Sequence, residues 1–249
     1  NLAELQNVCS KLFKISPDET LSIVQDLYEK KLVTYPRTDA RVLSTAVAKE
    51  IYKNISGLRN YPQAGEAAQG ALELGAYKNI AKTRYTNDKQ ITDHYAIIPT
   101  GQGLGALKGL SLTAQRVYET IVRRFLSIFY PPAVYQKVSL VTKMENESFF
   151  SSFKVLLSEG YLKIAANSFA KKSMAEASGK TPESEGEGEV SCDEALLAAL
   201  QKLKKGDILN INGLGIKEGE TSPPKRYNSG SMILAMENAG QLIEDEDLR

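Results

Sequence analysis

The spacing of apolar residues in the first part of the chain predicts helices. One stripe recurs every three or four positions, as a helix with one buried face requires: Leu2, Leu5, Val8, Cys9 and Leu12. Positions 16–19 read SPDE, a capping box with proline at the first helical position, and they open a second helix that ends near Leu32. The short link between these helices, with an extended segment at 33–36 after them, favours a helix-turn-helix with a wing-like segment.

Three further helices follow from the same kind of pattern. Thr38 or Asp39 is expected to cap a third helix, whose apolar residues are Val42, Val47, Ile51 and Ile55. Positions 113–129 predict a strongly amphipathic helix, stopped by the prolines at 131 and 132. Near the end of the chain, Asn228 or Ser229 is expected to cap a short helix over 231–239.

Between these helical regions the pattern becomes that of strands. Positions 134–143 and 148–157 are rich in strand-forming residues, and 144–147 are expected to form the hairpin loop between them. Further strands are predicted at 161–165 and 207–216, with a short helix at 195–203. Positions 173–190 are rich in Ser, Gly and Glu, which predicts a flexible insertion. The predicted fold class is therefore α+β, with a mainly helical first domain and an antiparallel β-rich segment after it.

Composition and charge narrow the class of protein. The 249 residues are 42% hydrophobic and 24% charged, which is typical of soluble globular domains. No apolar run approaches the ~18 residues of a membrane span, so no membrane partner is expected. Residues 1–132 carry 17 lysines and arginines against 12 acids, and residues 133–249 carry 14 against 18. A mildly basic first half permits binding of a polyanion without requiring it.

Several kinds of chemistry are not indicated. The chain has no GxxxxGK[ST] loop, so no ATP is expected, and the glycine-rich positions 101–105 are interpreted as a flexible loop. The single histidine, His94, cannot build a zinc site with so few other ligands, and taken alone it is a structural residue. Cys9 is expected to be a buried reduced thiol, because it lies on the apolar stripe of its helix and far from Cys192.

Positions 34–39, with the sequence TYPRTD, have two interpretations. The first is a proline turn that leads into a capped helix. The second is a nucleophilic tyrosine that cuts a phosphodiester reversibly by keeping the phosphate in a covalent ester. A neutral phenol is a poor nucleophile and needs positive charge nearby. Arg37, two residues after Tyr35 in an extended segment, projects from the same side and suits a phosphate edge.

The second interpretation agrees with a resemblance to a known family. Positions 27–39, LYEKKLVTYPRTD, closely resemble the active-site segment of type IA DNA topoisomerases, particularly the bacterial topoisomerase III branch. Two more segments resemble that family in the same order: TDHYAIIPT at 92–100, and TSPPKRY at 221–227 followed by AMENAG at 235–240. The resemblance covers essentially the whole chain.

The resemblance implies roles for individual residues. Tyr35 would be the nucleophile that becomes 5′-phosphotyrosyl, Arg37 would bind the scissile phosphate, and His94 would contact DNA near the cut. It implies further DNA contacts at Thr38, Asp39, Arg41, Lys225, Arg226 and Tyr227. Three positions depart from the family's usual residues: Ala40 in place of Ser, Tyr95 in place of a second His, and Lys225 in place of Pro.

The resemblance also implies three parts: a helical tyrosine-bearing domain at 1–131, a β-rich arch at 132–220, and the start of a single-strand-binding domain at 221–249. Nothing resembles the family's Toprim domain, and the acidic run at 244–247 is interpreted as surface. We therefore expect an internal fragment, inactive alone, whose Mg²⁺ ligands and general acid lie in a Toprim domain of the same polypeptide.

The implied activity is cleavage of one DNA strand, passage of another and resealing, without ATP. The implied partner is single-stranded DNA. The implied location is the cytoplasm, in association with the nucleoid. A different class of function stays open at this point, a non-catalytic winged-helix DNA-binding module in which positions 35–37 are only a wing.

Overall fold

The computed structural model describes residues 1–169, 194–213, 215–216 and 218–242. Cα proximity groups them into two compact units. The first contains the described parts of 1–131, 161–169 and 226–249, and the second contains those of 132–160 and 170–225. The first unit is helical and the second contains a β-hairpin, so the fold class is α+β. The assignment of 1–131, 132–220 and 221–249 to functional domains stays a prediction.

The first unit contains seven α-helices in its described residues, joined by 3-10 helices and extended segments. The bounds of the first six are α1 Leu2–Phe13, α2 Pro17–Glu29, α3 Thr45–Gly57, α4 Gly65–Leu74, α5 Leu112–Ser127 and α6 Leu162–Ala165. A later helix of the same unit, Ser229–Glu237, is called α8 below, because α7, Glu194–Lys202, precedes it in the chain and belongs to the second unit. The 3-10 helices are Leu58–Asn60, Ala76–Lys82, Asp88–Gln90, Leu104–Gly109 and Ala239–Leu242.

Side-chain caps fix where most of these helices begin. Ser16 caps α2 by accepting a hydrogen bond from the Glu19 amide at 3.1 Å, as the sequence predicts. The predicted helix over 113–129 is present as α5, and Asn228 caps α8. α2 ends at Glu29 rather than near Leu32, since Lys31 adopts a left-handed conformation with φ of 61°.

The predicted start of α3 is wrong. The helix begins at Thr45, where Ser44 accepts a hydrogen bond from the Val47 amide at 3.2 Å. Thr38 does not cap a helix, because its hydroxyl donates to the His94 carbonyl oxygen at 2.7 Å. The chain between them is not helical, and the Leu43 amide is bonded to the Tyr85 carbonyl oxygen at 2.8 Å.

The core of the first unit surrounds α5, which packs against α2, α4 and α6. The helix buries most of its length, and its fully buried side chains are Val117, Tyr118, Val122 and Leu126. Cys9 of α1 is also fully buried and free, as predicted. Burial raises the pKa of its thiol to about 12, so little reactive thiolate forms near neutral pH.

The strand predicted at 161–165 is wrong, because this segment forms the short helix α6. A buried charge pair next to it holds the segment on α5. Glu119 binds Arg123 at 2.5 Å and accepts a hydrogen bond from the Ser168 amide at 2.7 Å. Arg123 also donates to the Ile164 carbonyl oxygen at 3.2 Å. These polar groups satisfy one another away from water, so the returning chain is held by specific partners rather than by apolar contact alone.

The second unit contains the predicted hairpin. Strand β1, Val134–Met144, pairs antiparallel with β2, Glu147–Ser158. The predicted short helix over 195–203 is present as α7. The strand predicted at 207–216 is wrong, since none of the described residues in that range belongs to a strand.

Three sequence predictions lie outside the described residues: the flexible insertion at 173–190, the position of Cys192 and the acidic surface run at 244–247. Within the part of the chain that the structure describes, no helix is both long enough and apolar enough to cross a membrane.

A glycine allows α8 to pack closely on α1. Gly230 is buried, and a Cβ atom there would lie 2.8 Å from Ser10 Cβ and 3.0 Å from Asn7 Cα. Carbon atoms at such distances overlap, so this contact requires the absence of a side chain.

We expect Gly230→Ala to destabilise the contact between α1 and α8 by about 1–3 kcal/mol, although alanine favours a helix more than glycine does. Thermal unfolding and hydrogen exchange of the α8 amides measure the effect. Gly105→Ala is the matched control, because no atom lies within 4 Å of its added Cβ. Equal stability of the two variants would contradict the packing argument.

Candidate functional site

Two extended segments that are distant in sequence lie side by side at the edge of the helical core. Val33 and Pro99 form an antiparallel bridge. The Thr34 amide donates to the Ile98 carbonyl oxygen at 3.0 Å, and the Thr100 amide donates to the Leu32 carbonyl oxygen at 3.0 Å. The side chains of Leu32, Val33 and Ile98 are buried, so this pairing is anchored in the core.

Threonine hydroxyls add a second set of bonds between the segments. Thr34 Oγ1 donates to the Ala96 carbonyl oxygen at 3.1 Å and accepts from the Ile98 amide at 2.9 Å. Thr38 Oγ1 accepts from the Ala40 amide at 3.1 Å, in addition to its bond to the His94 carbonyl oxygen. The two threonines therefore fix the backbone on both sides of positions 35–37. Residues 33–38 and residues 94–100 are together called the paired segments.

Burial alternates along positions 35–38. Pro36 and Thr38 are buried, Arg37 is exposed and Tyr35 is half-buried. The predicted extended segment is interrupted here, because the Thr38 amide donates to the Pro36 carbonyl oxygen at 3.0 Å in a tight turn around Arg37. The side chains of Tyr35 and Arg37 nevertheless lie on the solvent side of the segment. The guanidinium of Arg37 makes no ion pair and no hydrogen bond with any residue that the structure describes.

Tyr35 lies among aromatic rings. Its ring centroid is 4.4 Å from that of His94 and 5.5 Å from that of Tyr28, with the Tyr28 ring nearly perpendicular to it. Distances of this kind are favourable for aromatic pairs. The structure thus brings the predicted residues Tyr35 and His94 together, and it adds Tyr28, from the last turn of α2, as a third ring.

The positions after Arg37 are joined to helices α1 and α8. Asp39 Oδ1 accepts from the Thr92 hydroxyl at 3.3 Å. The Arg41 guanidinium lies 3.1 Å from a carboxylate oxygen of Glu237 on α8 and 3.4 Å from one of Glu4 on α1. Arg41, a predicted DNA contact, thus has two carboxylate partners in this structure.

The three predicted DNA contacts near the end of the chain are exposed. Arg226 and Tyr227 directly precede α8, in the same unit as Tyr35, and no described contact joins them to Tyr35 or Arg37. Lys225 belongs to the second unit. Among the described residues, no three His, Cys, Asp or Glu side chains lie close enough together to hold a metal ion.

Sequence reasoning missed several residues that shape this site. Thr34 and Thr100 connect the two paired segments, Tyr28 packs on Tyr35, and Glu237 holds Arg41. Tyr28 has a visible signal in the sequence, because an exposed aromatic in the last turn of α2 sits next to the extended segment that follows. The partners of Thr34 and Arg41 are 62 and 196 residues away, so no local pattern indicates them.

Comparison with known proteins gives one family. Residues 1–241 match a family model described as DNA topoisomerase. The chain is 36% identical over 248 residues to DNA topoisomerase 3 of Bacillus licheniformis, which covers 99% of this chain and 31% of that protein. The corresponding protein of Bacillus subtilis is 34% identical with the same coverage, and that of Shouchella clausii is 33% identical, with 99% of this chain and 30% of the relative covered. The chain therefore spans less than a third of these relatives.

We expect Thr34→Val to loosen the paired segments, because valine keeps the shape of threonine but lacks its hydroxyl. Each backbone group left without a partner costs roughly 1–3 kcal/mol when it is shielded from water. Faster hydrogen exchange at Ile98 and a lower melting temperature measure the loss.

Thr120→Val is the matched control for that substitution, since the Thr120 hydroxyl donates only to the Arg116 carbonyl oxygen within its own helix. The Thr34 bonds would be unimportant if both variants exchanged at Ile98 at the wild-type rate.

Proposed function

The chain belongs to the DNA topoisomerase family, and from that premise we propose that it is the tyrosine-bearing part of a type IA, topoisomerase III-like enzyme. The observation that carries this proposal is the setting of Tyr35. Its backbone is fixed on both sides by threonine hydrogen bonds, its ring packs on His94, and the exposed Arg37 lies two residues away. The resemblance of positions 27–39 to the family's active-site segment supports the same residue.

In the proposed reaction, the Tyr35 hydroxyl oxygen attacks a backbone phosphorus of single-stranded DNA. A phosphotyrosyl bond to the 5′ end forms and the phenol loses its proton. The bond from phosphorus to the 3′ oxygen of the other fragment breaks, and that oxygen gains a proton, so the step has no net change in protons. The phosphate stays in an ester throughout, so the reverse attack by the 3′ hydroxyl reseals the strand without ATP. Strand passage takes place between the two steps.

Arg37 is proposed to stabilise the transition state. Its guanidinium has no partner among the described residues, so its donors are available to an incoming phosphate. A planar fork of N–H groups matches two non-bridging phosphate oxygens, and it opposes the negative charge that develops during attack. His94, exposed and packed on Tyr35, is proposed to contact DNA beside the cut.

The remaining predicted DNA contacts divide into two groups. Lys225, Arg226 and Tyr227 are exposed, and we propose that they touch the strand directly. Thr38, Asp39 and Arg41 make polar contacts within the protein, to the His94 carbonyl oxygen, the Thr92 hydroxyl and the Glu237 carboxylate respectively. We propose that these three serve DNA binding by fixing the segment that carries Tyr35 and Arg37.

The metal and the general acid are proposed to come from another part of the polypeptide. Mg²⁺ bound to a Toprim domain would offset negative charge on the phosphate, and an acid there would protonate the leaving 3′ oxygen. This chain would supply the nucleophile, the guanidinium and part of the strand-binding surface. A DNA substrate also implies a cytoplasmic, nucleoid-associated location.

We expect Tyr35→Phe in the full polypeptide to abolish DNA relaxation and to leave single-strand binding nearly unchanged, because only one hydroxyl is lost. The measurement is a labelled oligonucleotide quenched in denaturant, which reveals any covalent protein–DNA band. Tyr52→Phe is the matched control, since Tyr52 is an exposed tyrosine on α3. Relaxation by the Tyr35→Phe protein would overturn the assignment and favour a non-catalytic DNA-binding module.

We expect Arg37→Lys to slow cleavage by roughly 100-fold or more, as removal of one transition-state donor does in other enzymes. An ammonium is a point charge and does not replace a bidentate fork. Single-turnover cleavage rates measure the change, with Arg59→Lys, another exposed arginine, as control. Wild-type turnover by the Arg37→Lys enzyme would remove Arg37 from the proposed mechanism.

A further inference from the structure

The β-hairpin of the second unit has two unlike faces. The register pairs Lys137 with Lys154, Ser139 with Ser152, Val141 with Phe150, and Lys143 with Ser148 on one face. This set contains three lysines and no acid, and we call it the lysine face. The positive charge of the lysine face contrasts with the rest of this part of the chain, because residues 133–249 as a whole carry more acids than lysines and arginines.

Residues of the same unit lie beside strand β1. A cavity of about 1150 Å³ is lined by Leu200 of α7 and residues 203–211 on one side, and by residues 138–144 of β1 with Phe149 on the other. The β1 residues come from both faces of the hairpin and include Val141 and Lys143. Gln201 of α7 donates to Gln136 at 3.3 Å. Lys137, Val141 and Lys143 are exposed, so the lysine face is open to solvent.

The lysine face carries like charges at close range. Lys137 and Lys154 are directly opposite each other in the ladder, an arrangement that disfavours the hairpin unless an anion lies near both. Lys154 Nζ also lies 4.4 Å from the centre of the Tyr135 ring. None of the three lysines forms an ion pair with a residue that the structure describes.

Apolar side chains lie between these charges. Phe150 is 80% exposed and is paired with the exposed Val141, which is four residues from Lys137 and two from Lys143. Lys137 and Lys143 are six residues apart, or about 20 Å along the strand at ~3.3 Å per residue. A ligand for this surface must therefore be a long polyanion that also offers flat apolar groups.

We propose that the lysine face, in the second unit, is a further binding surface for single-stranded DNA. Single-stranded DNA provides a chain of phosphates for the lysines and unpaired bases that stack on Phe150. A duplex offers the phosphates but keeps its bases inside. This inference rests on the proposed function in one respect only, namely that the polyanion is DNA.

The test compares two triple variants in the full polypeptide, each with Tyr35→Phe to prevent covalent capture. Lys137→Gln, Lys143→Gln and Lys154→Gln together remove the positive charge of the lysine face. Lys78→Gln, Lys82→Gln and Lys89→Gln remove the same charge from exposed positions of the first unit. Circular dichroism checks that both proteins are folded, and affinity for a labelled oligonucleotide is measured from low to high salt.

We expect the lysine-face variant to lose affinity at low salt, and its slope of log affinity against log salt to fall by ~0.7 for each lost phosphate contact, hence by up to about 2. The control variant should keep a slope closer to that of the parent. Phe150→Ala should weaken binding of the oligonucleotide about fivefold or more, with little change for a duplex.

Three results would overturn the proposal. One is an equal slope for the two triple variants. Another is that the lysine-face variant and the Phe150→Ala variant each lose as much affinity for duplex DNA as for single-stranded DNA. The last is unchanged DNA binding together with lost binding to vesicles that contain anionic lipids. Failure of the proposed function is separate, since it is scored by a covalent adduct on Tyr35 in the wild-type enzyme.

Discussion

Pairing of the two segments at 33–38 and 94–100 is the constraint on which the rest of the site depends. The bonds of Thr34 and Thr38 to residues 94–98 hold positions 35–37 next to His94. The pairing is stable because its inner side chains, Val33 and Ile98, are buried while its outer ones face solvent. A nucleophile on this framework has a fixed backbone and an accessible side chain, which is the combination that covalent catalysis needs.

The helical part of the fold was readable from the sequence where caps and apolar stripes agree, as at Ser16 and along α5. The predicted secondary structure was wrong where a polar group forms a hydrogen bond with a residue far away in the sequence. Thr38 has the chemistry of a helix cap, but its hydroxyl is used by His94, so α3 begins later. Positions 161–165 have the composition of a strand, but the segment packs on α5 near the buried pair of Glu119 and Arg123 and forms a helix.

The candidate site also has parts that a local sequence pattern indicates and parts that depend on distant contacts. The choice of Tyr35 and Arg37 as site residues rests on the local motif at positions 34–39 and stays a prediction. The sequence did not predict the tight turn between Pro36 and Thr38. The approach of His94 to Tyr35 and the bonds of Arg41 to Glu237 depend on contacts across 59 and 196 residues, respectively, which only the assembled core defines. Family resemblance named His94, but it gave neither the ring contact nor the role of Tyr28.

The paired segments also limit how Tyr35 can travel. Four hydrogen bonds join residues 33–38 to residues 94–100, and Thr100 adds bonds to Lys31 and Leu32 just before them. The inner side of the pairing is also buried, so Tyr35 does not lie on a loop that can move alone. If a DNA end is attached to Tyr35, separating it from the other end requires rigid-body displacement of both segments with the helices behind them. The attached DNA end would then move together with these segments and helices as one body. The hinge of that motion must lie outside residues 33–38 and 94–100.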